Sequence, residues 1–429
     1  MVKLDLPRGM RDLEPGDFAS INYVKEKFLQ TAEAFNFQIM EPTPVELLAT
    51  MEAKSGAAIS NETYSFMDKG DRKVALRFDL TIGLTRYVAS RRDLKFPLKL
   101  ASFAGVWRYD EPQAGRYRYF HQWDIEVYGP FSVESDAEVI AFVARFFQTL
   151  GLKVKIHVND RRLLEEFIRT NLSASDEREI GEMFRAVDKL PKKGREAIIK
   201  EYEGKVQPDK LLDLLDICSH KGSAQDLLAG QPNISSLASW PFLTDLMASL
   251  NSRGVENVVI DLGVVRGLDY YSGTVFEVFD LADPGAGALV GGGRYDSLTS
   301  AFGRSEIGAT GAAGGIERIV LSLQSKSLLP SQKKKLVYVA SAAESARHTA
   351  LEVASKLRGQ NIATDYDMMK KNLRKQLEDA SAKDADAVII LAESELQSGK
   401  FTLRNMKTGN ESQHKLNDIV EAVRQSLNP

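Results

Sequence analysis

The stretch VRGLDYYSGTVFE, residues 265–277, places groups that can do chemistry next to the beginning of a strand. Arg266 carries a positive charge, Asp269 a carboxylate, and Tyr270 and Tyr271 carry phenols that both donate and accept hydrogen bonds. The second half alternates small or polar residues with β-branched or aromatic ones, and this period of two residues predicts a strand. The stretch therefore predicts an anion-binding and hydrogen-bonding group of side chains at the mouth of a β-sheet.

Two further arginines stand alone within apolar surroundings. Arg108 lies in VWRYDEPQAGRYRYFHQ, and Arg318 lies in GIERIV. Burying an arginine is costly unless it is paired, and its planar guanidinium suits bidentate binding of phosphate or carboxylate. A structural ion pair explains any one of these arginines taken singly. Together with Arg266, and with glycine or aromatic neighbours at each position, the three arginines favour an anion site.

The sequence lacks the motifs of several common nucleotide, metal and nucleophile sites. It contains no GxxxxGK[ST] phosphate loop, no strand-borne GxGxxG, no HExxH and no GxSxG. The five histidines are scattered, so we predict no metal site made by protein ligands alone. If the protein handles phosphate, arginines on an antiparallel sheet must do so.

The composition is that of a globular protein with more than one domain. The chain has 429 residues, 43% of them hydrophobic and 27% charged, with a net charge of −3, and this length predicts two or three domains. One cysteine, Cys218, excludes a disulfide framework. No apolar run approaches the length needed to cross a bilayer, and the first residues carry charge and proline where a signal peptide needs an apolar core. We expect a reduced, cytoplasmic protein without membrane contact.

The first 150 residues mix amphipathic helices with strands. A proline-broken edge strand follows the first helix, a hairpin turns at residues 69–71, and two long strands within residues 98–129 are joined by an arginine-rich loop. The apolar spacing predicts helices over residues 18–35, 80–92 and 137–150.

The rest of the chain changes character twice. Between residues 165 and 245 helical patterns dominate and charge is dense, which predicts a helical insertion. Strands return at VENVVIDLGVV and continue to GALVGGGRYDSL, and GATGAAGGIERIVLSL then predicts a glycine-rich entry into a helix. After a linker at residues 326–335, apolar strands alternate with helices, which predicts a small α/β domain over residues 336–429.

Seven segments together resemble the histidyl-tRNA synthetases, a family of class II aminoacyl-tRNA synthetases. The resemblance covers nearly the whole chain and is most specific in VRGLDYYSGTVFE. The other segments are PRGMRDLEPG, TYSFMDKG, LRFDLT, WRYDEPQAGRYRYFHQ, GGGRYD and GGIERIV.

The resemblance implies an α+β fold. Its catalytic domain, residues 1–325, has an antiparallel sheet flanked by helices and is interrupted by the helical insertion at residues 165–245. Residues 336–429 would be the α/β anticodon-binding domain. Helix 18–35 with the strand ending at Pro42 would be the first of three class II motifs and would form the interface of a homodimer. The two strands and loop at residues 103–128 would be the second motif, and a strand and helix around residues 311–323 would be the third.

The resemblance also implies a reaction. The enzyme would use ATP, accompanied by Mg²⁺, to join L-histidine to the 3′ end of histidine tRNA through a histidyl-adenylate. Arg108 and Arg266 would be catalytic residues that bracket the α-phosphate and also contact histidine. Arg318 would hold the γ-phosphate, while Phe120 would stack on adenine and Asp110 would contact it.

The family's histidine site maps onto acids, amides and phenols of this sequence. A neutral imidazole has one N–H donor and one bare nitrogen acceptor. By resemblance Glu126 would accept from the N–H and the Tyr271 hydroxyl would donate to the nitrogen. From the residues alone, Tyr270 and Tyr271 are equally explained as core aromatics at the start of a strand. The remaining positions that would bind histidine are Asp79, Thr81, Gln122 and Tyr270.

Four positions depart from the family's usual pattern. Asp110 stands where a glutamate is usual, and Asp79 stands where bacterial members have glutamate. Gly308 replaces a proline and Ala312 a bulky aromatic, so we expect looser packing under the ATP site.

Two alternatives share the fold. One is a non-catalytic regulatory paralogue that binds histidine as a signal, and the other is an RNA-binding or scaffolding module. Loss of the anticodon-binding domain and degradation of VRGLDYYSGTVFE would favour the first, whereas loss of the arginines or of the histidine pocket would favour the second. A third alternative, from outside the family, is a nucleotide-binding enzyme of another class II specificity, and VRGLDYY disfavours it. For the tRNA itself, residues 113–118 are predicted to touch the acceptor end, and the basic face at residues 370–375 is predicted to lie near the anticodon.

Overall fold

The structure is a computed structural model that describes residues 4–55, 57–111, 117–265, 271–331 and 333–427. The chain divides into two units, Met1–Pro330 and Ser331–Pro429, each with its own sheet and core. Two predicted site residues, Arg266 and Tyr270, lie outside the described ranges, and so does most of the predicted tRNA-contacting loop.

The first unit contains a nine-stranded sheet and a three-stranded sheet. The large sheet has the order β1-β5-β6-β12-β11-β10-β7-β9-β8, and its ladder from β5 to β7 is antiparallel throughout. The small antiparallel sheet has the order β2-β4-β3. The strands are β1 (Gln38–Ile39), β2 (Val45–Leu47), β3 (Ser65–Met67), β4 (Lys73–Leu76), β5 (Leu98–Trp107), β6 (Tyr119–Gly129), β7 (Val154–Asp160), β8 (Lys221–Gly222), β9 (Val258–Asp261), β10 (Thr274–Asp280), β11 (Val290–Arg294) and β12 (Gly308–Gly315).

Helices pack on both faces of the large sheet and fill most of the segment between β7 and β9. The helices are α1 (Pro15–Ala34), α2 (Leu48–Ser55), α3 (Thr81–Ser90), α4 (Val133–Thr149), α5 (Arg161–Thr170), α6 (Glu177–Lys193), α7 (Arg195–Glu201), α8 (Pro208–Ile217), α9 (Ala224–Gly230), α10 (Trp240–Ser252), α11 (Asp296–Ala301) and α12 (Ile316–Ser325). Short 3₁₀ helices span Ala57–Asn61, Pro232–Ser236 and Pro284–Ala286.

An aromatic cluster joins α1 and α4 to the sheet. The ring of Phe28 on α1 lies 5.6 Å from that of Trp123 on β6 and 5.9 Å from that of Phe142 on α4, between ring centroids. Ile125 and Val127 belong to the same core, so the odd-numbered residues of β6 face the helices. Because side chains alternate along a strand, the even-numbered residues of β6 face the opposite side of the sheet.

The second unit is a five-stranded sheet with helices. Its order is β14-β13-β15-β16-β17, with β14, β13 and β15 parallel and the last two pairings antiparallel. The strands are β13 (Leu336–Ser341), β14 (Ala363–Tyr366), β15 (Ala387–Leu391), β16 (Lys400–Asn405) and β17 (Glu411–Lys415). The helices are α13 (Arg347–Arg358), α14 (Leu373–Ala382), α15 (Glu393–Gln397) and α16 (Ile419–Leu427), with 3₁₀ turns at Glu344–Ala346 and Leu416–Asp418.

This architecture confirms the predicted α+β fold with its antiparallel sheet, and most elements lie where the periodicity placed them. The strand before Pro42 is an edge strand, as the prolines predicted.

Within the predicted helical insertion the structure adds one short strand, β8. The glycine-rich residues 308–315, which the pattern alone predicted as a helix entry, form the strand β12 before α12 begins, in agreement with the strand and helix that the family resemblance implied. The reason is tertiary, because these small residues pair with β6 and β11 on both sides.

Among the helices that the structure describes, none combines the length and the apolar composition needed to cross a bilayer.

Candidate active site

A cavity of about 430 Å³ lies on the face of the large sheet that α1 and α4 leave uncovered. Glycine-rich β11 and β12 form part of its wall, and α12 closes one end. The cavity brings together nine of the residues predicted from the sequence, while Arg266 and Tyr270 lie outside the described ranges. The nine are Asp79, Thr81, Arg108, Asp110, Phe120, Gln122, Glu126, Tyr271 and Arg318.

Strand β6 distributes the polar groups along this cavity. Phe120, Gln122 and Glu126 line it at intervals of an even number of residues. With a rise of about 3.3 Å per residue, Phe120 and Glu126 lie about 20 Å apart along the strand. One strand therefore presents an aromatic ring, an amide and a carboxylate in line.

The carboxylate of Glu126 occupies space that a glycine leaves open. Glu126 pairs in register with Gly311 on β12, and a Cβ added to Gly311 would lie 1.5 Å from Glu126 Oε2. Any other residue at position 311 would displace the carboxylate. Gly311 is thus a requirement of the site, whereas Gly314 leaves room for the ring of Trp123 in the core on the opposite face of the sheet.

The predicted looser packing at Gly308 is wrong at that position. A Cβ on Gly308 would lie 2.4 Å from the carbonyl oxygen of Pro130, so the backbone is tightly packed there. Gly308 also pairs with Gly129, at the opposite end of β12 from α12. Ala312 lies in the buried core beneath the cavity and is 3% exposed.

Arg108 is held between two aromatic rings at the cavity wall. Its guanidinium carbon lies 4.4 Å from the ring centroid of Phe78 and 5.2 Å from that of Phe120. Its Nε donates to the Phe78 carbonyl at 3.2 Å and its Nη2 donates to Gln122 Oε1 at 3.3 Å. Stacking and hydrogen bonds fix the plane of the guanidinium, which orients a positive charge for an anion.

Arg318 lies in the first turn of α12, at the closed end of the cavity. Its Nη1 donates to the Ala288 carbonyl and its Nη2 to the Ala286 carbonyl, both at 2.7 Å. The preceding residue, Glu317, accepts the backbone N–H of His121 on β6 at 3.0 Å. These contacts tie α12 to the neighbouring loop and to β6, and they place a carboxylate and a guanidinium side by side at this end.

A buried aspartate joins the predicted residues Thr81 and Gln122. Asp124 is fully buried on β6 between Gln122 and Glu126. Thr81 Oγ1 donates to Asp124 Oδ2 at 2.9 Å, and Gln122 Nε2 donates to Asp124 Oδ1 at 2.7 Å. Asp79 accepts the backbone N–H of Ile82 at 3.0 Å and so anchors the beginning of α3 beside the cavity.

A chain of hydroxyls leads to Glu126. The Tyr295 hydroxyl donates to Glu126 Oε2 at 2.5 Å and lies 3.4 Å from the Tyr128 hydroxyl, which contacts Thr85 Oγ1 at 3.1 Å. Burial raises the pKa of both Tyr128 and Tyr295 well above the usual value for a phenol, and the negative charge of Glu126 raises it further. The phenols therefore stay protonated, and Tyr295 acts as a donor to the carboxylate.

Sequence reasoning missed Asp124, Tyr128 and Tyr295. The first two share the even-numbered face of β6 with Glu126, so the period of the strand already placed them in the cavity layer. Tyr295 stands in GGGRYD, a motif that the sequence analysis quoted without assigning its residues. In that motif Arg294 is structural, since its guanidinium donates to buried Asp136 at 2.8 Å and to Asp296 at 3.2 Å.

Tyr271 is both a core aromatic and a residue of the cavity wall. It is 7% exposed and packs in a cluster with Val275 and Tyr295, as a core aromatic would. It also lines the cavity, as the predicted histidine contact would. Burial of the ring fixes the position from which its hydroxyl acts.

Arg118 belongs to the loop at residues 113–118 that was predicted to touch tRNA, and residues 113–116 of that loop lie outside the described ranges. In the structure Arg118 is buried and makes internal contacts. Arg118 is 9% exposed, and its guanidinium lies 3.9 Å from the ring centroid of Tyr109. It donates to the carbonyls of Asp110 at 3.2 Å and Arg8 at 3.3 Å. Its contacts are internal ones that hold the segment carrying Asp110 against the N-terminal residues.

Comparisons with known proteins agree along the whole chain. The family model described as "Histidyl-tRNA synthetase" matches residues 9–319, and the one described as "Anticodon binding domain" matches residues 329–426. The histidine–tRNA ligase of Thermococcus kodakarensis is 35% identical over 435 residues, and that of Pyrococcus furiosus is 34% identical over 429 residues. These alignments cover 99% of both chains in the first case and 98% of both in the second.

A crystal structure described as histidyl-tRNA synthetase from Nostoc sp. PCC 7120 has a similar fold. The TM-score is 0.82 at 24% identity, and the match covers 99% of this chain and 100% of that one. At this identity the likeness concerns the fold alone.

The buried phenols predict how stability depends on pH. Because the pKa of Tyr128 is raised in the folded state, its contribution is fully present below the unfolded pKa of about 10 and is lost as pH rises further. Each such group lowers the free energy of unfolding by about 1.4 kcal/mol per pH unit above that value. Denaturant unfolding between pH 8 and pH 11 should show this fall, and Tyr128→Phe should make it shallower.

Tyr109→Phe is the matched control, since Tyr109 is 50% exposed and should leave the slope unchanged. Parallel curves for wild type and Tyr128→Phe would contradict the burial argument.

Proposed function

The chain belongs to the histidyl-tRNA synthetase family, and we propose that it attaches L-histidine to the 3′ end of histidine tRNA. The reaction uses ATP and passes through a histidyl-adenylate intermediate. Membership of the family makes the chain a class II aminoacyl-tRNA synthetase.

One observation supports the proposal beyond family membership. The residues proposed to bind adenine, the phosphates and histidine all line a single cavity. Phe120 and Arg108 lie at one end of its β6 wall, Gln122 is central, and Glu126 lies at the other end. Arg318 completes the end where α12 begins. A nucleotide and an amino acid can therefore lie end to end along one strand, with the reacting atoms between them.

The arginines account for the chemistry of the first step. The histidine carboxylate attacks the α-phosphorus of ATP, pyrophosphate leaves, and negative charge develops on the phosphoryl oxygens. Catalysis of this kind is mostly positioning and charge stabilisation. Arg108, fixed between Phe78 and Phe120, contacts the α-phosphate, and Arg318 holds the γ-phosphate. Arg266, outside the described ranges, is proposed as the second catalytic arginine on the α-phosphate.

The far end of the cavity recognises the imidazole. Glu126 accepts the imidazole N–H, and the Tyr271 hydroxyl donates to the other ring nitrogen. Tyr295 supports this arrangement because its short hydrogen bond to Oε2 holds the carboxylate in one orientation. Tyr270, also outside the described ranges, is proposed to line the same pocket, and Asp79, Thr81 and Gln122 bind the α-ammonium and carboxylate.

ATP is used together with Mg²⁺, which neutralises phosphate charge when bound. Within the described residues, no group of three or more His, Cys, Asp or Glu side chains is placed to hold a metal ion. Mg²⁺ commonly keeps several waters and takes its other ligands from substrate phosphates and one or two carboxylates. Glu317, which lines the cavity beside Arg318, is a carboxylate that would stand next to the triphosphate and could serve as such a ligand.

The regulatory-paralogue alternative explains less. A subunit that only senses histidine needs the imidazole end of the cavity but neither Arg318 nor an anticodon-binding domain. Here Arg108 and Arg318 line the cavity, and residues 329–426 match the anticodon-binding family. We place the enzyme in the cytoplasm, where its single cysteine stays reduced and tRNA and ATP are at hand.

We propose a homodimer that uses, besides the interface at helix 18–35 and the strand ending at Pro42 implied by the family resemblance, an exposed apolar face of the small sheet. Val45, Leu47 and Phe66 are 39%, 50% and 48% exposed. The register of β2, β4 and β3 puts all three on one face of the small sheet, where Leu47 and Phe66 both neighbour Val74. A continuous apolar face of this kind is typical of a protein–protein interface.

The first test is ATP–pyrophosphate exchange without tRNA, using each of the twenty amino acids in turn. We expect exchange with histidine alone. Glu126→Gln should raise the KM for histidine about 10- to 100-fold while the KM for ATP stays unchanged, because the amide loses the negative charge and keeps only one acceptor oxygen, which the imidazole N–H and the Tyr295 hydroxyl would both need. Glu134→Gln, at a carboxylate whose side chain is 66% exposed on α4, is the matched control. A folded protein that binds histidine without exchange would instead support the regulatory paralogue.

The second unit should be needed for tRNA charging but not for adenylate formation. A chain ending at Pro330 keeps the whole cavity and loses the unit that carries the basic face at residues 370–375. Pyrophosphate exchange should persist while tRNA charging falls by at least tenfold, and charging by the full chain should weaken steeply with salt. Equal loss of exchange and charging would refute this division of labour.

The apolar face should control the oligomeric state. Phe66→Asp would bury an unpaired carboxylate at the interface, at a cost of several kcal/mol. Sedimentation velocity should then show a species at the chain mass of 47.6 kDa, against twice that mass for wild type. Leu212→Asp, at a residue 37% exposed on α8, should leave the dimer intact. An unchanged mass for Phe66→Asp would place the interface elsewhere.

A further inference from the structure

Asp124 is a buried charged residue that the proposed reaction does not use directly. It is 0% exposed, and it stands on β6 between Gln122 and Glu126, the proposed ammonium and imidazole contacts. Each of its carboxylate oxygens accepts from a cavity residue: Oδ2 accepts from Thr81 Oγ1 at 2.9 Å and Oδ1 accepts from Gln122 Nε2 at 2.7 Å. The carboxylate thus contacts two residues that line the cavity, although Asp124 itself does not line it.

The direction of these hydrogen bonds is fixed by chemistry. An ionised carboxylate only accepts hydrogen bonds, so the Thr81 hydroxyl must direct its single hydrogen towards Asp124. Gln122 must likewise direct its amide N–H₂ towards Asp124. The opposite end of that amide, Oε1, then faces Arg108 Nη2 at 3.3 Å, which agrees with the same orientation.

The consequence is a cavity wall with a defined polarity. With its hydrogen committed to Asp124, Thr81 Oγ1 has only lone pairs left for a ligand. Gln122 presents its carbonyl oxygen, and Asp79 is a carboxylate, so all three are acceptors. An ammonium group has three N–H donors and no acceptor, and the buried charge of Asp124 adds a favourable field.

We propose that Asp124 is a positioning residue that makes this part of the cavity selective for the α-ammonium of the amino acid. It acts through Thr81 and Gln122 by turning their hydrogens away from the ligand. The inference rests on the proposed function and narrows it, because it assigns these residues to the α-ammonium of histidine and leaves the carboxylate, which needs donors, to Arg108. Loss of Asp124 would therefore affect a ligand with an amine and spare a ligand without one.

Two probes separate the amine from the rest of histidine. Histidinol keeps the imidazole and the ammonium but lacks the carboxylate, whereas 3-(imidazol-4-yl)propionate keeps the imidazole and the carboxylate but lacks the amine. Dissociation constants of both for the full chain would be measured by calorimetry. In Asp124→Asn an amide N–H₂ faces Thr81 or Gln122 and reverses one hydrogen bond. We expect histidinol to bind about 10- to 100-fold more weakly and the propionate to bind as in wild type.

A second pair of variants keeps the test decisive if Asp124→Asn does not fold. Thr81→Val removes the acceptor oxygen with little change of shape and should weaken histidinol selectively, whereas Thr81→Ser keeps the oxygen and should not. Ser102→Ala is the packing control: Ser102 pairs in register with Asp124, and its buried hydroxyl has no hydrogen-bond partner within the described residues. It should leave both dissociation constants unchanged.

Each outcome has one meaning. Equal weakening of histidinol and the propionate in Asp124→Asn, or no weakening of either, would overturn the role of Asp124, because a merely structural residue would not distinguish the ligands. Wild-type protein that exchanges pyrophosphate with histidine would uphold the proposed function even then. Failure of wild type to bind either probe would instead count against the proposed function itself.

Discussion

The close approach of β12 to β6 is the constraint on which the site depends. Glu126 projects from a central strand of the antiparallel sheet towards a neighbouring strand, where the space is open only because Gly311 has no Cβ. A carboxylate buried this deeply is costly unless its oxygens are hydrogen-bonded. Tyr295 supplies such a bond, and the raised pKa of that phenol keeps it a donor. The glycine at position 311 and the buried hydroxyl of Tyr295 are therefore both needed to hold the Glu126 carboxylate in place.

The same logic extends along β6 as a series of buried polar groups with assigned directions. Asp124 receives hydrogens from Thr81 and Gln122, and Gln122 in turn receives one from Arg108. In an interior of low dielectric, hydrogen bonds in such a network strengthen one another, while an unmatched group is expensive. The wall of the cavity is thus fixed in polarity as well as in shape before any ligand arrives. A preorganised wall of this kind loses little entropy when it binds.

Much of this was predictable from the sequence, and the misses have identifiable causes. Local periodicity predicted the two long strands, the helix over α1 and the alternation in the second unit, because those signals are carried by neighbouring residues. It could not predict β12, since a run of glycine and alanine has weak strand preference and only the partners on either side make it a strand. The family resemblance named Glu126, Gln122 and Thr81, yet Asp124 and Tyr295 escaped. The period of β6 puts Asp124 on the cavity side, but its role and that of Tyr295 lie in hydrogen bonds to other site residues, and no spacing in the sequence encodes those bonds.

The arrangement also explains how such a site can discriminate without a second proofreading step. A cavity lined by carbon rejects a smaller side chain only weakly, because one missing methylene changes binding by about 1–3 kcal/mol. A cavity lined by committed acceptors and donors rejects a wrong ligand more strongly, since each unmatched group stays desolvated and unpaired. In the proposed function Glu126 takes an N–H and Tyr271 meets an acceptor, while the Thr81 and Gln122 oxygens meet a donor. A ligand that satisfies all of these at once would carry an imidazole and an ammonium at a fixed separation, and the spacing of Gln122 and Glu126 along β6 would set much of that separation.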